Sequence, residues 1–190
     1  MKKRGAGLLA FALASALTAT TVLPTYPVTS VYAEEQAQQE INWTFSGIHG
    51  EKTATGILLS GDGDSFGISD VKKTNNYSIK AKLTQGEEDG AIGVIIGAKD
   101  VNKPSDGSRV VNVNPASGEV RLFQFPEGAN KQDSKFYDAL KNQNEYQFEL
   151  TVSNGRLTAK INDITVVNKL AMEDSEIEGN IGFISWKESI

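Results

Sequence analysis

The feature that most constrains the fold of this chain is the alternation of apolar and polar residues over many short segments. In the segment YSIKAKLT, every second residue from Tyr77 to Leu83 is apolar, and the residues between them are polar. The same period of two recurs over 145–152 and 156–162. Such a period is typical of a β-strand with one buried face.

About eleven short strands are predicted in this way, and turn residues separate them. The other strands are expected near 42–46, 54–59, 66–69, 91–99, 108–114, 119–125, 164–168 and 180–186. Turns are expected at Gly61-Asp62-Gly63, Asp106-Gly107, Ser117-Gly118, Asn154-Gly155 and Asn162-Asp163. Helical patterning is confined to residues 134–142, which predict one turn or a short helix. The sequence therefore predicts an all-β fold of two antiparallel sheets packed face to face.

The first 33 residues have the organisation of a secretory signal peptide. A basic head is followed by an Ala- and Leu-rich run and by the small-residue site Val31-Tyr32-Ala33. A membrane anchor is the alternative, but Ser and Thr interrupt the run and Pro24 and Pro27 follow it. The predicted domains are a signal peptide over 1–33, a polar leader over 34–40 and a β-sandwich over 41–190.

Charge and cysteine content limit the classes of function. Residues 1–33 hold three of the 19 basic residues and none of the 24 acidic ones, so residues 34–190 carry a formal charge of −8. This charge argues against nucleic acid or an anionic membrane as a partner. The chain has no cysteine, which in an exported protein favours a bacterial origin and a core that needs no disulfides. The expected location is extracellular or associated with the cell wall.

The segment SRVVNVNPASGEVRLFQF, residues 108–125, predicts a hairpin with a four-residue loop at 115–118. One side pairs Val113 with Val120 and Val111 with Leu122, and is expected to be core. The other side pairs Asn112 with Arg121, Asn114 with Glu119, and Val110 with Phe123. Guanidinium, amide and carboxylate groups in fixed positions suit sugar hydroxyls, which both donate and accept hydrogen bonds. The alternative is a solvated set of cross-strand pairs without a ligand.

The sequence contains few candidates for catalytic or metal-binding residues. His49 is the only histidine, and with no cysteine this disfavours a catalytic triad and a transition-metal site. The segment at 60–67 fails the helix-loop-helix calcium pattern because Phe66 and Lys73 occupy ligand positions, although a structural calcium ion elsewhere stays open. In EDSEIEG, residues 173–179, Ser175 replaces the Asp of the Glu-x-Asp-x-x-Glu pattern of sandwich glucanases. No catalytic residue, metal site or cofactor is predicted.

The order of several segments resembles a known family. These segments are AIGVIIGAKD, DGSRVVNVNPASGEVRLFQF, NEYQFELTVSNGRLTAKINDITVVN and GNIGFISW. From about Asn42 to Trp186 the chain is similar to the concanavalin A-like (laminin-G-like) jelly-roll modules that accompany bacterial levanases of glycoside hydrolase family 32. Those modules bind fructan.

The resemblance implies a role for particular residues and for the rest of the protein. Arg121 would hydrogen-bond vicinal hydroxyls, supported by Asn112 and Glu119, while Trp186 would shape the site or stack on a sugar. Asp106 and Arg109 are further candidates at the lip before the hairpin. Modules of this kind normally have one more strand after the GNIGFISW segment, so the sandwich is expected to lack its final strand. A hydrolase domain is then expected beyond residue 190.

The favoured function is a non-catalytic carbohydrate-binding module of a Gram-positive bacterium, with polysaccharide or oligosaccharide as partner. It would bind the chain ends of levan-like fructan and so hold an attached or partner hydrolase on the polysaccharide. The alternatives are a catalytic glycoside hydrolase of the sandwich class and a cell-surface adhesion domain. Among the tryptophans, Trp43 is expected in the core, whereas Trp186 suits either core packing or sugar stacking.

Overall fold

The computed structural model of the protein describes residues 12–13, 40–54, 56–85, 90–126 and 133–186. The predicted signal peptide and leader lie outside these residues, apart from 12–13 and Glu40. The predicted all-β architecture is confirmed over the described ranges, where two antiparallel sheets contain almost all of the regular structure.

The smaller sheet has five strands in the order β1-β4-β9-β10-β11. These strands are β1 (Ala12–Leu13), β4 (Tyr77–Thr84), β9 (Glu145–Ser153), β10 (Arg156–Ile161) and β11 (Ile164–Ala171). The turns at Asn154-Gly155 and Asn162-Asp163 are confirmed, because both residues of each pair have positive φ and connect consecutive strands. The two residues of β1 pair with the edge of β4 and belong to the segment predicted as signal peptide.

The larger sheet has seven strands in the order β2-β3-β12-β5-β6-β7-β8. These strands are β2 (Trp43–Thr53), β3 (Gly56–Lys73), β5 (Ala91–Ala98), β6 (Arg109–Asn114), β7 (Glu119–Gln124), β8 (Asp133–Phe136) and β12 (Gly179–Trp186). A 3₁₀ turn, Asp138–Leu140, follows β8, and a one-turn helix α1, Asp174–Ile177, precedes β12.

The main core lies between the two sheets and follows the alternation in the sequence. On β4, Ile79, Ala81 and Leu83 are buried, while the lysines between them are exposed. The core continues through β9 and β10 and meets Val111 and Val113 of the larger sheet. The two sheets therefore bury their apolar faces against each other, as the period of two requires.

Three segments differ from the sequence prediction. Gly61-Asp62-Gly63 is not a turn between two strands, because β3 is continuous and bulges between Ser60 and Ser65, where the Ser65 hydroxyl donates to the Ser60 carbonyl at 2.9 Å. Within 134–142 the predicted single turn is present as the 3₁₀ turn Asp138–Leu140, but residues 134–136 belong to the edge strand β8. The acidic segment 173–179 contains α1, whose capping box pairs Glu173 with Glu176.

The last described strand occupies a central position. Strand β12 lies between β3 and β5 and pairs with both of them along Gly179–Trp186. Both of its edges are hydrogen-bonded, so β12 is not an edge of the larger sheet.

The outer face of the larger sheet, which points away from the smaller sheet, is apolar at one end. Its second core cluster includes Ile68, Ile95, Val110 and Phe123. The loop 99–108 covers this end, since Val101 packs on the cluster, Pro104 is buried, and the Ser108 hydroxyl donates to the Pro104 carbonyl. Nearer the β6–β7 hairpin, Phe66, Ile184 and Asn112 are also buried, and the Phe125 ring packs against the rings of Phe66 and Phe123.

Candidate functional site

The hairpin of β6 and β7 has the register predicted from its loop length. Asn112 pairs with Arg121, Asn114 with Glu119, and Val110 with Phe123, while Val111 and Val113 belong to the inner core. Gly118 closes the loop with φ of +72°, a conformation that glycine adopts without strain. The predicted polar pairs therefore lie on the outer face of the larger sheet.

Two rows of residues cross the outer face near this hairpin, and their exposed members lie mainly on β7 and β8. The first row is Phe66, Ile184, Gly93, Asn112, Arg121 and Ser134, and the second is Asp64, Trp186, Ala91, Asn114, Glu119 and Phe136. We define the outer-face platform as Gly93, Asn112, Glu119, Arg121, Phe136 and Trp186. It contains four of the six predicted site residues.

Asn112 forms part of the floor of the platform. The residue is only 5% exposed, and within the described part of the structure its buried Oδ1 atom accepts no hydrogen bond. An unsatisfied buried acceptor costs about 1–3 kcal/mol. Because the Oδ1 atom itself is buried, a ligand hydroxyl would remove this cost only where the amide turns outward on binding.

Glu119 and Arg121 supply the charged groups of the platform. Glu119 Oε2 lies 3.1 Å from Arg121 Nη2, and their side chains are 15% and 33% exposed. A partly exposed guanidinium fixed beside a carboxylate offers donors and acceptors a few ångströms apart. This is the arrangement that vicinal hydroxyls require.

Asn114 has a structural role in the hairpin loop. Its Oδ1 atom accepts from the backbone N–H groups of Ala116 and Ser117 at 3.0 and 3.2 Å. The side chain thus stabilises the turn. This turn places Glu119 next to the second row.

The two tryptophans occupy different layers. Trp43 packs against the inner core, with its ring centroid 5.6 Å from that of Phe183, as expected from the sequence. Trp186 lies on the outer face beside Ile184 and is half-buried. Part of the Trp186 ring is therefore available at one end of the platform.

Arg109 and Asp106 are not brought to the platform. Arg109 shares the inner-facing side of β6 with Val111 and Val113, and it is 2% exposed and forms a salt bridge with the buried Glu176 of α1. The alternation of residues 109, 111 and 113 already predicts this inner position. Asp106 is exposed in the loop that covers the opposite, apolar end of the face.

Phe136 is the platform residue that the sequence analysis missed. It pairs with Glu119 on the outer face and is 63% exposed. The sequence analysis predicted a helical turn over 134–142 and no strand there. It therefore gave no indication that Phe136 shares a face with the residues of β7.

The outer face of the smaller sheet has a different character. Salt bridges cross it between Lys80 and Glu149 at 2.7 Å and between Lys82 and Glu145 at 2.8 Å. The hydrogen bond from Lys80 holds the pKa of the Glu149 carboxyl below its usual value. These pairs are well exposed and form a solvated surface.

Other functional features were sought among the described residues. No group of three or more His, Cys, Asp or Glu side chains placed to hold a metal ion occurs there, and none of the helices described has the length and apolar character needed to cross a bilayer. His49 is exposed on β2. A cleft of about 300 Å³ opens between the sheets at the β8 and β11 edges, lined by apolar residues such as Val120 and Val167.

Comparisons with known proteins identify the fold. No protein-family model and no curated protein sequence matches the chain. Among solved structures, carbohydrate-binding module CBM66 from Bacillus subtilis superposes with a TM-score of 0.62 and 22% identity, covering 76% of this chain and 87% of that one. A Bacillus subtilis protein of unknown function with a galectin-like fold gives a TM-score of 0.58 and 11% identity, covering 76% and 83%.

A third similar structure is the Crh5 transglycosylase without ligand. It gives a TM-score of 0.50 and 13% identity and covers 83% of this chain and 65% of that one. At these identities the similarity establishes the fold. The chain has a two-sheet β-sandwich fold similar to that of CBM66 and of the protein with a galectin-like fold.

Proposed function

We propose that this protein is a non-catalytic carbohydrate-binding module whose outer-face platform binds fructan of the levan type. The observation that carries the proposal is the combination of a buried, unsatisfied Asn112 Oδ1 atom with a partly exposed Glu119–Arg121 pair on one face. These groups are held on paired strands, which lowers the entropic cost of binding a ligand. The similarity to CBM66, described as a carbohydrate-binding module, adds support.

The placement of acidic residues favours binding over hydrolysis. Glycoside hydrolysis needs two carboxyl groups about 5–9.5 Å apart. In the row that contains Glu119, the other acidic residue is Asp64, and three strands lie between β7 and β3. Four strand spacings of about 4.8 Å separate their backbones by about 19 Å.

The proposed context is an exported protein of a Gram-positive bacterium. The signal-peptide pattern of residues 1–33 and the absence of cysteine support export. The module would hold an attached or partner hydrolase on polysaccharide. Because few groups of the site are desolvated on binding, we expect a micromolar to millimolar dissociation constant. Many sites along one polymer make such affinity sufficient.

Affinity electrophoresis in gels that contain levan, inulin or β-glucan tests this function. We expect the protein to be retarded by levan and to release no sugar. Sugar release would show a hydrolase, and neither retardation nor release would favour an adhesion domain.

Arg121→Ala is the variant that assigns binding to the platform. We expect it to abolish retardation in levan with a melting temperature close to that of the wild type, because Arg121 is one-third exposed. Arg156→Ala is the matched control, since Arg156 is exposed on the smaller sheet and its loss changes the net charge equally. A large drop in melting temperature for Arg121→Ala would instead show a structural role.

A further inference from the structure

Phe136 is an exposed aromatic residue on an otherwise polar edge of the outer face. It is 63% exposed, while most phenylalanines of the described chain are buried in the two core clusters. Its neighbours on the same face are Glu119 directly across the strand pair and Ser134 along β8. An exposed aromatic ring beside hydrogen-bonding side chains is a surface on which the C–H face of a sugar ring can pack.

The backbone around Phe136 is held in place. The Tyr137 N–H donates to the Gly118 carbonyl at 2.9 Å, and the Asn142 N–H donates to the Pro115 carbonyl at 2.8 Å. Gly118 has no room for a side chain there, since a Cβ atom would lie 2.5 Å from the Tyr137 carbonyl oxygen. These hydrogen bonds fix the end of β8 to the hairpin loop, so the backbone that carries the Phe136 ring is held in place.

Phe136 and Trp186 belong to the same row, with Phe136 at one end and Trp186 next to Asp64 at the other. Between them the row passes through Ala91 on β5, Asn114 on β6 and Glu119 on β7. Four strand spacings of about 4.8 Å place the backbones of the two aromatic residues about 19 Å apart. This span is several times the width of one sugar ring.

We propose that Phe136 forms a second sugar subsite, so that the platform binds at least two consecutive units of a chain. The inference rests on the proposed function and specifies its ligand as an oligosaccharide segment rather than a single terminal unit. One unit lies over Arg121 and Glu119, and the next packs its C–H face on the Phe136 ring, as amphipathic rings do. Ser134 and Glu119 provide hydrogen-bonding groups beside that second unit.

Isothermal titration calorimetry with fructose and with levan-derived oligosaccharides of two, three and four units tests this subsite. For the wild type we expect affinity to rise about tenfold from fructose to the two- or three-unit ligands, and for Phe136→Ala to show little rise. Phe136→Trp should retain the rise. Leu170→Ala is the control, because Leu170 is exposed at 37% on the smaller sheet, away from the platform.

The outcomes separate the two proposals. Wild-type protein that binds no ligand in the series would overturn the proposed function and the subsite together. Binding with the same length dependence in wild type and Phe136→Ala would overturn the subsite alone. Sedimentation of the wild type and of Phe136→Ala gives a further test. A dimeric wild type and a monomeric variant would contradict the subsite, because β8 would then be an edge strand used for self-association.

Discussion

At the scale of single residues, the platform depends on a glycine beside an asparagine. Gly93 of β5 pairs with Asn112 of β6, and a Cβ atom at position 93 would lie 2.6 Å from both Asn112 Cβ and the Val111 carbonyl oxygen. No other residue fits there without moving the backbone. The absence of a side chain at position 93 thus lets Asn112 pack directly against the β5 backbone, where its Oδ1 atom has no hydrogen-bond partner.

The variant Asn112→Leu tests whether the Asn112 amide contributes to ligand binding or to the stability of the fold. The change keeps the approximate volume and removes an acceptor that has no partner in the described structure. We expect levan affinity to fall about tenfold and the free energy of unfolding to change by less than about 1 kcal/mol. A loss of several kcal/mol in urea denaturation, with affinity retained, would show that the amide stabilises the fold instead.

Residue placement was predictable from sequence wherever a strand period could be read. The pairing of Asn112 with Arg121 follows from the four-residue loop and is confirmed. The same period of two places Arg109 on the inner face of β6. The expectation that Arg109 lies at the lip of the binding site was therefore inconsistent with the sequence pattern. Phe136 was missed because its strand is short, and a segment of four residues carries too little periodicity to distinguish strand from helix.

At the scale of elements, helix α1 is fixed to β6 by a buried ion pair. Glu176 of α1 and Arg109 of β6 form a salt bridge with both side chains almost fully buried. The second carboxylate oxygen of Glu176 accepts from the Glu173 backbone N–H at 2.9 Å. The ion pair thus fixes the helix to β6 through Glu176, while Glu173 and Asp174 are exposed.

Removal of one member of this pair is expected to destabilise the protein strongly. Glu176→Gln leaves the Arg109 charge buried without its counter-ion, which costs about 3–5 kcal/mol. The double variant Arg109→Met with Glu176→Met removes both charges and should be less destabilised than Glu176→Gln. Urea denaturation of the three proteins measures these differences, and equal losses for the single and double variants would contradict the account.

Long-range pairing explains the elements that local sequence did not reveal. Gly61-Asp62-Gly63 has the composition of a turn, yet β3 continues past it because β2 pairs with the strand on both sides of the bulge. The residue types of a segment indicate only its local preference for a turn or a strand. Here the pairing of β3 with β2 outweighs the local preference for a turn. The hairpins with Asn-Gly and Asn-Asp turns were predictable because their turn chemistry is itself local.

At the scale of the whole molecule, the sandwich presents two different outer faces. The smaller sheet carries exposed salt bridges such as Lys80–Glu149. The larger sheet carries a second apolar cluster on its outer face, on which Val101 of the loop 99–108 packs, and its exposed polar groups lie toward β7 and β8. The alternation of the sequence predicts two sheets, but it does not indicate that a loop would cover part of one outer face.

Mapping of the binding surface tests the central claim most directly. Two-dimensional ¹H–¹⁵N NMR spectra of the protein, recorded during titration with levan-derived oligosaccharides, report which backbone amides sense the ligand. The account predicts that the largest shift changes cluster at Gly93, Asn112, Glu119, Arg121, Phe136 and Trp186. Changes centred instead on the smaller sheet or on the cleft between β8 and β11, or no changes at any ligand concentration, would contradict it.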